Sequence, residues 1–538
     1  MLQSLAIQRG SHGQHTMPAT PERSLHVLLS DFDPSLAAFL EVPGPFSNRS
    51  RMARLSEELE ACGLIGWFWL HNVESAATIA PKFVWSGCFG LSREPLGRVR
   101  DYFGTEISWD LLYMNFMARW MVVPAMGSAA YSYVTALAFL STGSVDNPFL
   151  PLFSVGLIVW GMIMLFFWGR LERRYQEKWR EDVNISGRDD INTDAVLETK
   201  IDDETGEVKL VYPEWKHKAK KFAASALMAP CLALVLGAGL LALDFRARII
   251  NLDPKLIDGI SVGGMLGGVA TAAIIFIATR LVCYHWCAVL TNWENYTKRS
   301  GYIYSLGVKC FLIDLVAHAF PLIYLALLDF PILSRFAPAS KASIMDSLTV
   351  QAVTVFTAWW LCTATFSYFE AYLLQRRADA EVDRVGSKPD LSHEEQHLRP
   401  NFPGYLTTNA WMSVQLIYSF VFAAVCPVAP LLMYIWVLHR LNWDRSALLY
   451  VYKRPHPHPS PGGNFWMRSI FFVMLLALAV QIPIILFCSK ALTFWLPSIT
   501  LEDRWGIFIL LEILVLVLSS YVLSKEFRGE DAEGSERV

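Results

Sequence analysis

The sequence predicts an all-α polytopic membrane protein of about ten transmembrane helices, preceded by a small cytosolic N-terminal α/β domain. Three observations lead there. Of 538 residues, 54% are hydrophobic and only 18% charged, and the mean hydropathy is +0.34. Several uncharged runs reach the ~20 helical residues that cross a hydrocarbon core of about 30 Å. Twelve Lys and Arg lie between Arg170 and Lys221, whereas Ser141 to Pro151 has none. Basic loops stay on the cytosolic side, so the first stretch is expected inside and the second outside.

Residues 1–107 read as the cytosolic domain. SLHVLLSDF and LIGWFWL have strand-like composition, and SNRSRMARLSEELEACGL between them has helical apolar spacing. The opening MLQSLAIQRGSHGQ is polar and lacks an apolar stretch with a small-residue cleavage site. No removable signal peptide is expected, and the first membrane helix serves as the insertion signal.

The membrane domain, residues 108–525, contains ten hydropathic segments at 108–138, 148–172, 222–244, 257–290, 302–329, 346–375, 405–425, 427–450, 465–491 and 505–525. The two flanking Pro427 and Pro430 are readable as one broken helix or as two. Loops at 173–221, 376–404 and 451–464 fall on the cytosolic side, with charged linkers at 181–210 and 378–400. KRPHPHPSPGG, 453–463, is extended and proline-rich. An even span count puts the 526–538 tail on the same side as the N-terminus. The nine cysteines fall mainly in apolar segments, so no disulfide framework is expected.

Several motifs together resemble one family. VRDYFGTEISWDLLYMNFMARWMVVPAMG, Val99 to Gly127, is similar to the anoctamin first helix, with its tyrosine-phenylalanine-glycine opening and tryptophan-hydrophobic-proline-alanine ending. FFWGRLERRYQEKW, DETGEVKLVYPEWKHKAKKF, LTNWENYTKRSGYIYSLGVKCF and CPVAP, the last near Gln415, follow in family order over roughly residues 50–465. The anoctamins contain calcium-activated chloride channels and calcium-activated phospholipid scramblases. The resemblance implies ten transmembrane helices, a homodimer, and a furrow in each subunit lined by helices four to seven.

In calcium-gated relatives, side chains from helices six, seven and eight bind calcium, a hard cation that takes several oxygen ligands. Aligned on CPVAP, the helix-eight positions are Arg440 and Asp444, and the helix-seven positions are Thr408 and Trp411. Helix six offers Glu370, with Ala364 or a neighbour where an amide is expected. Two carboxylates and a guanidinium make a degenerate site, so calcium remains possible as a cofactor but most of its usual ligands are missing. Arg440 reads as a tethered cation paired with Glu370 or Asp444, holding helices six and eight as the metal does in relatives. The alternatives are that His439, Arg440 and Asp444 snorkel into water at the interface, or that the alignment is out of register.

Helix five carries Lys309, Asp314 and His318. Intramembrane ionisable groups face a cavity, a partner or a pathway. Lys309 matches the lysine bordering the family's furrow, and it and His318 are candidates to line a hydrophilic path; pairing between helices is the bland alternative. Trp293 and Glu294 fall where scramblase relatives contact headgroups, although tryptophan is also a common interface anchor. Gly263 with Gly267, and Gly264 with Gly268, suit close helix packing or bending.

HEEQH at His393 to His397 matches the zinc-protease pattern, but it sits in a charged linker with no obvious third ligand, and is expected to be a solvated helix opened by Ser392 and Glu395. Asn184 and Asn295 head glycosylation patterns on the cytosolic side and should stay unmodified. No phosphate loop of the nucleotide-hydrolysing kind is visible, so transport is expected to be passive and no enzymatic activity is expected. The expected function is passive phospholipid scrambling with accompanying ion conduction, without calcium gating at the usual site. A passive anion channel, with Lys309 and Arg119 supplying positive field, and a transport-inactive membrane tether are the alternatives. Phospholipids, small anions and a second copy of the chain are the expected partners; nucleic acid is not.

Overall fold

A computed structural model describes residues 5–8, 66–69, 71, 96–185, 198–201, 208–252, 262–328, 344–385, 399–402, 404–455 and 464–535. Most of the expected N-terminal domain lies outside them. Within it, β1 (Leu5–Gln8) pairs antiparallel with β2 (Gly66–Trp69), Leu5 opposite Trp69. The HEEQH stretch and most of the proline-rich connection also lie outside the described residues.

From residue 96 onward the described chain is almost all helical. The first expected span is divided into α2 (Thr105–Trp120) and α3 (Val122–Thr142), after a short α1 (Leu96–Phe103). The break has a local cause. Pro124 has no N–H to give the carbonyl four residues back, which is that of Trp120. The indole Nε1 of Trp160 donates to that carbonyl instead, at 3.0 Å. α4 (Leu150–Ile185) begins after a loop held by two carboxylates. Asp346 accepts from the Val145 N–H at 2.7 Å and Ser144 Oγ at 2.9 Å, and Asp146 accepts from Ser489 Oγ at 2.6 Å.

α4 continues a dozen residues past its apolar part, through RLERRYQEKWRED. A helix need not stop where apolarity stops, and Arg, Glu, Lys and Gln are good helix formers. Within the expected 181–210 linker, β3 (Glu198–Ile201) and β4 (Val208–Val211) form a second antiparallel hairpin. The third span is α5 (Glu214–Leu227) running into α6 (Ala229–Leu252), with a break before Pro230 where the Trp286 indole donates to the Leu227 carbonyl at 3.2 Å.

The fourth span is α7 (Val262–Phe276), a π-helical stretch at Ile277–Cys283, and α8 (Tyr284–Glu294), ended by Asn295 in the left-handed region at φ 59°. α7 packs against α6 and against α10 (Ile344–Val385), and its glycines are the reason it can. A Cβ on Gly267 would sit 2.6 Å from Arg246 Cγ, and one on Gly268 2.8 Å from Thr354 Cβ. The small residues therefore serve two opposite close approaches.

α9 (Arg299–Leu328) is the fifth span. The region around Pro427 resolves into two helices: α11 (Leu406–Leu416) with a π turn at Ile417–Val421, then α12 (Ala429–Tyr450), opened by Pro430. The intervening turn, residues 422–426, is wholly buried, and the Cys426 N–H returns to the Phe422 carbonyl at 2.7 Å. α13 (Asn464–Pro483) ends in a third π turn at Ile484–Cys488, followed by the short α14 (Ala491–Trp495). α15 (Leu501–Ser535) starts at a capping box in which Thr500 and Asp503 bond each other's N–H groups at 2.9 and 3.2 Å.

Each of the ten expected segments is thus helical over most of its described residues. Among the described residues, seven are long and apolar enough to cross a membrane: Val122–Thr142, Leu150–Trp179, Glu214–Ile249, Gly263–Glu294, Arg299–Ala326, Met345–Phe366 and Ser469–Cys488. Two of the others fall short for local reasons: α11 with its π turn is only 16 residues long, and α12 carries Arg440, Asp444 and Arg445. α2 and α11 are buried on nearly every face and form the centre of the packing.

Candidate functional site

Three polar clusters sit inside this apolar framework. The first joins the end of α8 to the start of α9. Lys309 Nζ lies 2.9 Å from the Glu294 carboxylate and also donates to Thr291 Oγ1 at 3.1 Å and Ser305 Oγ at 2.6 Å. Ser305 in turn donates to Glu294 Oε2 at 3.0 Å. Both charges are buried, Glu294 to 1% exposure and Lys309 to 8%, so neither could stay there without the other. Trp293, beside them, is exposed and lies under the Lys220 ammonium at 5.8 Å.

Tyr296, in the connection just after α8, has its phenol pushed up to about 12, chiefly by burial. It remains neutral at physiological pH.

The second cluster lies midway along α9. Asp314 accepts a hydrogen bond from Tyr284 Oη and lies 3.8 Å from Arg280 Nη2. The Arg280 guanidinium rests 4.2 Å from the Tyr284 ring centroid and 5.5 Å from that of Trp411. One turn beyond Asp314, His318 Nδ1 is 3.3 Å from Tyr418 Oη, and the imidazole meets the Trp359 and Tyr418 rings edge-on. Asp314 and His318 are each 1% exposed.

The third cluster joins α2, α11 and α12. Arg440 Nε sits 2.9 Å from Asp444 Oδ1, one turn apart on α12, both largely buried. Asn409 Nδ2 donates to Asp110 Oδ1 at 2.9 Å, and Arg445 Nη2 donates to Asn115 Oδ1 at 3.2 Å. Thr408 and Trp411 are buried on α11, with Thr408 beside Asn409. The backbone of Glu370 lies within α10, but its side chain is outside the described residues.

The structure therefore brings Lys309 to Glu294, Asp314 to His318's helix face, and Arg440 to Asp444. Trp411 belongs with Arg280 in the second cluster as much as with the third. Arg280, Asp110, Asn409 and Arg445 escaped the sequence reading. Arg280 and Asp110 had a signal, being isolated charges in otherwise apolar runs, IIFIATRLVC and ISWDLLYM.

A bundle of long apolar helices with charges paired in its interior defines a polytopic integral membrane protein. A family model described as anoctamin, calcium-activated chloride channel, matches residues 99–525. The chain belongs to the anoctamin family, as a divergent member. It is 22% identical over 434 residues to anoctamin-10 of Homo sapiens, covering 78% of this chain and 61% of that protein. Anoctamin-10 of Danio rerio is 21% identical over 431 residues, covering 78% and 63%. Anoctamin-8 of Homo sapiens is 26% identical over 280 residues, covering 50% of this chain and 21% of the relative. The chain spans about three fifths of the length of the anoctamin-10 relatives it matches.

Proposed function

We propose that the protein is a dimeric, passive phospholipid scramblase with accompanying ion conduction, and that calcium does not gate it through the family's usual intramembrane site. Ten crossings, with both termini and the Arg170–Lys221 loop cytosolic, complete the reading. The Arg440–Asp444 pair at 2.9 Å is the observation that carries it. Calcium takes six to eight oxygen ligands. Across Thr408, Trp411, Arg440 and Asp444 the donor set is one hydroxyl, one indole N–H, one guanidinium and one carboxylate, and the guanidinium pairs with one oxygen of that carboxylate. That set does not fit a divalent ion. The ion pair serves in its place as a built-in clamp.

In this reading phospholipid headgroups travel along a polar groove beside α8, α9, α10 and α11 while acyl tails stay in the hydrocarbon. Trp293 and Lys220 stand at the cytosolic mouth. Glu294, Lys309, Asp314 and His318 form the wall behind it, with Lys309 countering Glu294 and Arg280 countering Asp314, which suits poor headgroup selectivity. No step consumes energy, so flux runs only down a gradient.

The test is reconstitution of purified protein in liposomes carrying a fluorescent phospholipid, with an impermeant quencher outside, in zero and in millimolar calcium. Equal, fast quenching in both is the expected result. Quenching only with calcium would overturn the clamp. Ion flux without lipid flux would make the protein a channel, and neither flux would make it a tether.

A further inference from the structure

Four of the nine cysteines, Cys231, Cys283, Cys287 and Cys310, are buried where the third, fourth and fifth spans pack together. A buried free cysteine usually serves as a small hydrophobe, but these sulfurs bond one another. Cys283 Sγ is 3.9 Å from the Cys231 carbonyl and is hydrogen-bonded to the Cys231 thiol. Cys287 Sγ donates to the thioether sulfur of Met228 at 3.9 Å, and Cys310 on α9 is hydrogen-bonded to the Cys287 thiol. Two thiols and a thioether thus form a connected row from the third span to the fifth, with Met228 5%, Cys287 0% and Cys310 1% exposed.

The backbone holds this row in register. Met228 stands at the junction of α5 and α6, where the Trp286 indole ties the Leu227 carbonyl to α8. Leu227 and Trp286 are the sequence neighbours of Met228 and Cys287, so that one bond sets the two sulfurs opposite each other. Thr291 Oγ1 donates to the Cys287 carbonyl at 2.7 Å and accepts from Lys309 Nζ. Lys309 precedes Cys310, so the same polar cluster brings α9 alongside Cys287.

Thiolate and thioether sulfurs are soft ligands and select Cu(I). Among the described residues no three Cys, His, Asp or Glu side chains come together to hold a metal, which rules out the three or four such ligands that zinc takes from a protein. Cu(I) carries the same charge as the proton it would displace, the one Cys287 shares with Met228. The exchange releases one proton, leaves every oxidation state unchanged, and adds no net charge to a region where Arg280 already faces Asp314 and Lys309 faces Glu294.

We infer that Cys287 and Met228 form a binding site for Cu(I) between the third and fourth spans, the metal bridging the Cys287 thiolate and the Met228 thioether while the Cys310 thiol supports that thiolate by hydrogen bonding. The inference does not rest on lipid transport, because the sulfurs bind the ion whether or not the groove conducts.

The test uses the full chain in detergent, without oxygen, and Cu(I) supplied as its complex with excess bathocuproine disulfonate, whose colour reports how much metal the protein withdraws. The wild type should withdraw one Cu(I) more than Cys287→Ala does. Met228→Leu, which keeps the apolar bulk and removes the sulfur, should weaken the affinity several-fold, and Cys310→Ala should weaken it less. Cys231→Ala and Cys283→Ala should bind as the wild type does. X-ray absorption of the loaded wild type should show sulfur neighbours alone around the copper. If Cys287→Ala does not fold, Met228→Leu still decides. No withdrawal by the wild type, an affinity unchanged in Met228→Leu, or nitrogen or oxygen neighbours in the absorption spectrum would each overturn the site. So would a loss in Cys231→Ala or Cys283→Ala equal to that in Cys287→Ala, which would assign the metal to the other thiol pair.

Discussion

Arg440 and Asp444 close an ion pair of 2.9 Å across one turn of α12, at the two positions where the family resemblance places calcium ligands. Removing one partner from a buried pair leaves an uncompensated charge and costs about 3–5 kcal/mol. Arg440→Gln should therefore lower the melting temperature markedly, by the lower end of that range given the guanidinium's partial exposure, and added calcium should not restore it. Arg440→Glu should behave differently. With two carboxylates in place of a pair, its stability and lipid flux should become calcium-dependent, read by the same thermal and quenching measurements. A calcium-blind Arg440→Glu would show that the clamp is not a surrogate for the metal.

Lys309 makes a parallel case with a different readout. Lys309→Met strands Glu294, which is 1% exposed, and should destabilise by about 3 kcal/mol or more. Lys309→Met combined with Glu294→Gln should recover most of that loss, because the pair is removed as a unit. A double-mutant cycle on melting temperature checks the recovery. If the lysine also lines the path, Lys309→Met should slow lipid flux even in the stabilised double variant.

The two faces of α7 supply a packing prediction. Gly267→Val places atoms where Arg246 Cγ and Cβ already lie, 2.6 and 2.8 Å from a bare Cβ, and overpacking of this kind costs about 1–3 kcal/mol. Gly237→Ala on α6 meets nothing within 4 Å and removes a helix-interior glycine, so it should be neutral or stabilising by up to about 1 kcal/mol. Comparing the two melting temperatures separates close packing from helix propensity.

His71 links the N-terminal region to the rest. Its Nδ1 is 3.0 Å from Tyr102 Oη and its Nε2 3.2 Å from the Tyr452 carbonyl. Burial lowers its pKa to about 4, with Arg399 and Arg454 adding to the effect. At pH 7 the imidazole is neutral in the folded protein and mostly neutral in the unfolded chain, so its contribution to pH dependence there is small. As pH falls from about 6.5 towards 4, the unfolded chain takes up a proton that the folded one refuses, and stability drops by up to about 3 kcal/mol. Protection of residues 96–103 in hydrogen exchange should weaken between pH 7 and 5 in the wild type and stay nearly constant in His71→Gln.

Much of the helical plan was legible because membrane spans announce themselves by uninterrupted apolarity, and Pro124 and Pro430 mark breaks by ordinary backbone chemistry. The ends were less legible. α4 and α10 run on through charged residues that hydropathy assigns to loops, although those residues favour helix. The ionisable residues Lys309, Asp314, His318, Arg440 and Asp444 stood out as charges in apolar runs, and the α12 spacing of four residues already implied the Arg440–Asp444 contact. Their partners from other helices did not stand out. Glu294 reaching Lys309, or Asn409 reaching Asp110 across 299 positions, follows from packing that no local pattern encodes. Arg280 was passed over because its neighbours Tyr284 and Trp411 make sense only in three dimensions.

The π-helical stretch at Ile277–Cys283 has a bearing on how this chain is compared with others. A π turn takes in an extra residue compared with an α turn, so α7 and α8 are out of phase with each other along one continuous rod. A helical wheel drawn from Val262 onward would misassign the faces of everything after Cys283, including Cys287, Thr291 and Glu294. Deleting a single residue inside the stretch should restore one uniform phase and swing Glu294 away from Lys309. Alignments of this span therefore tolerate, and will sometimes require, a gap of one residue in the middle of what looks like an unbroken apolar helix.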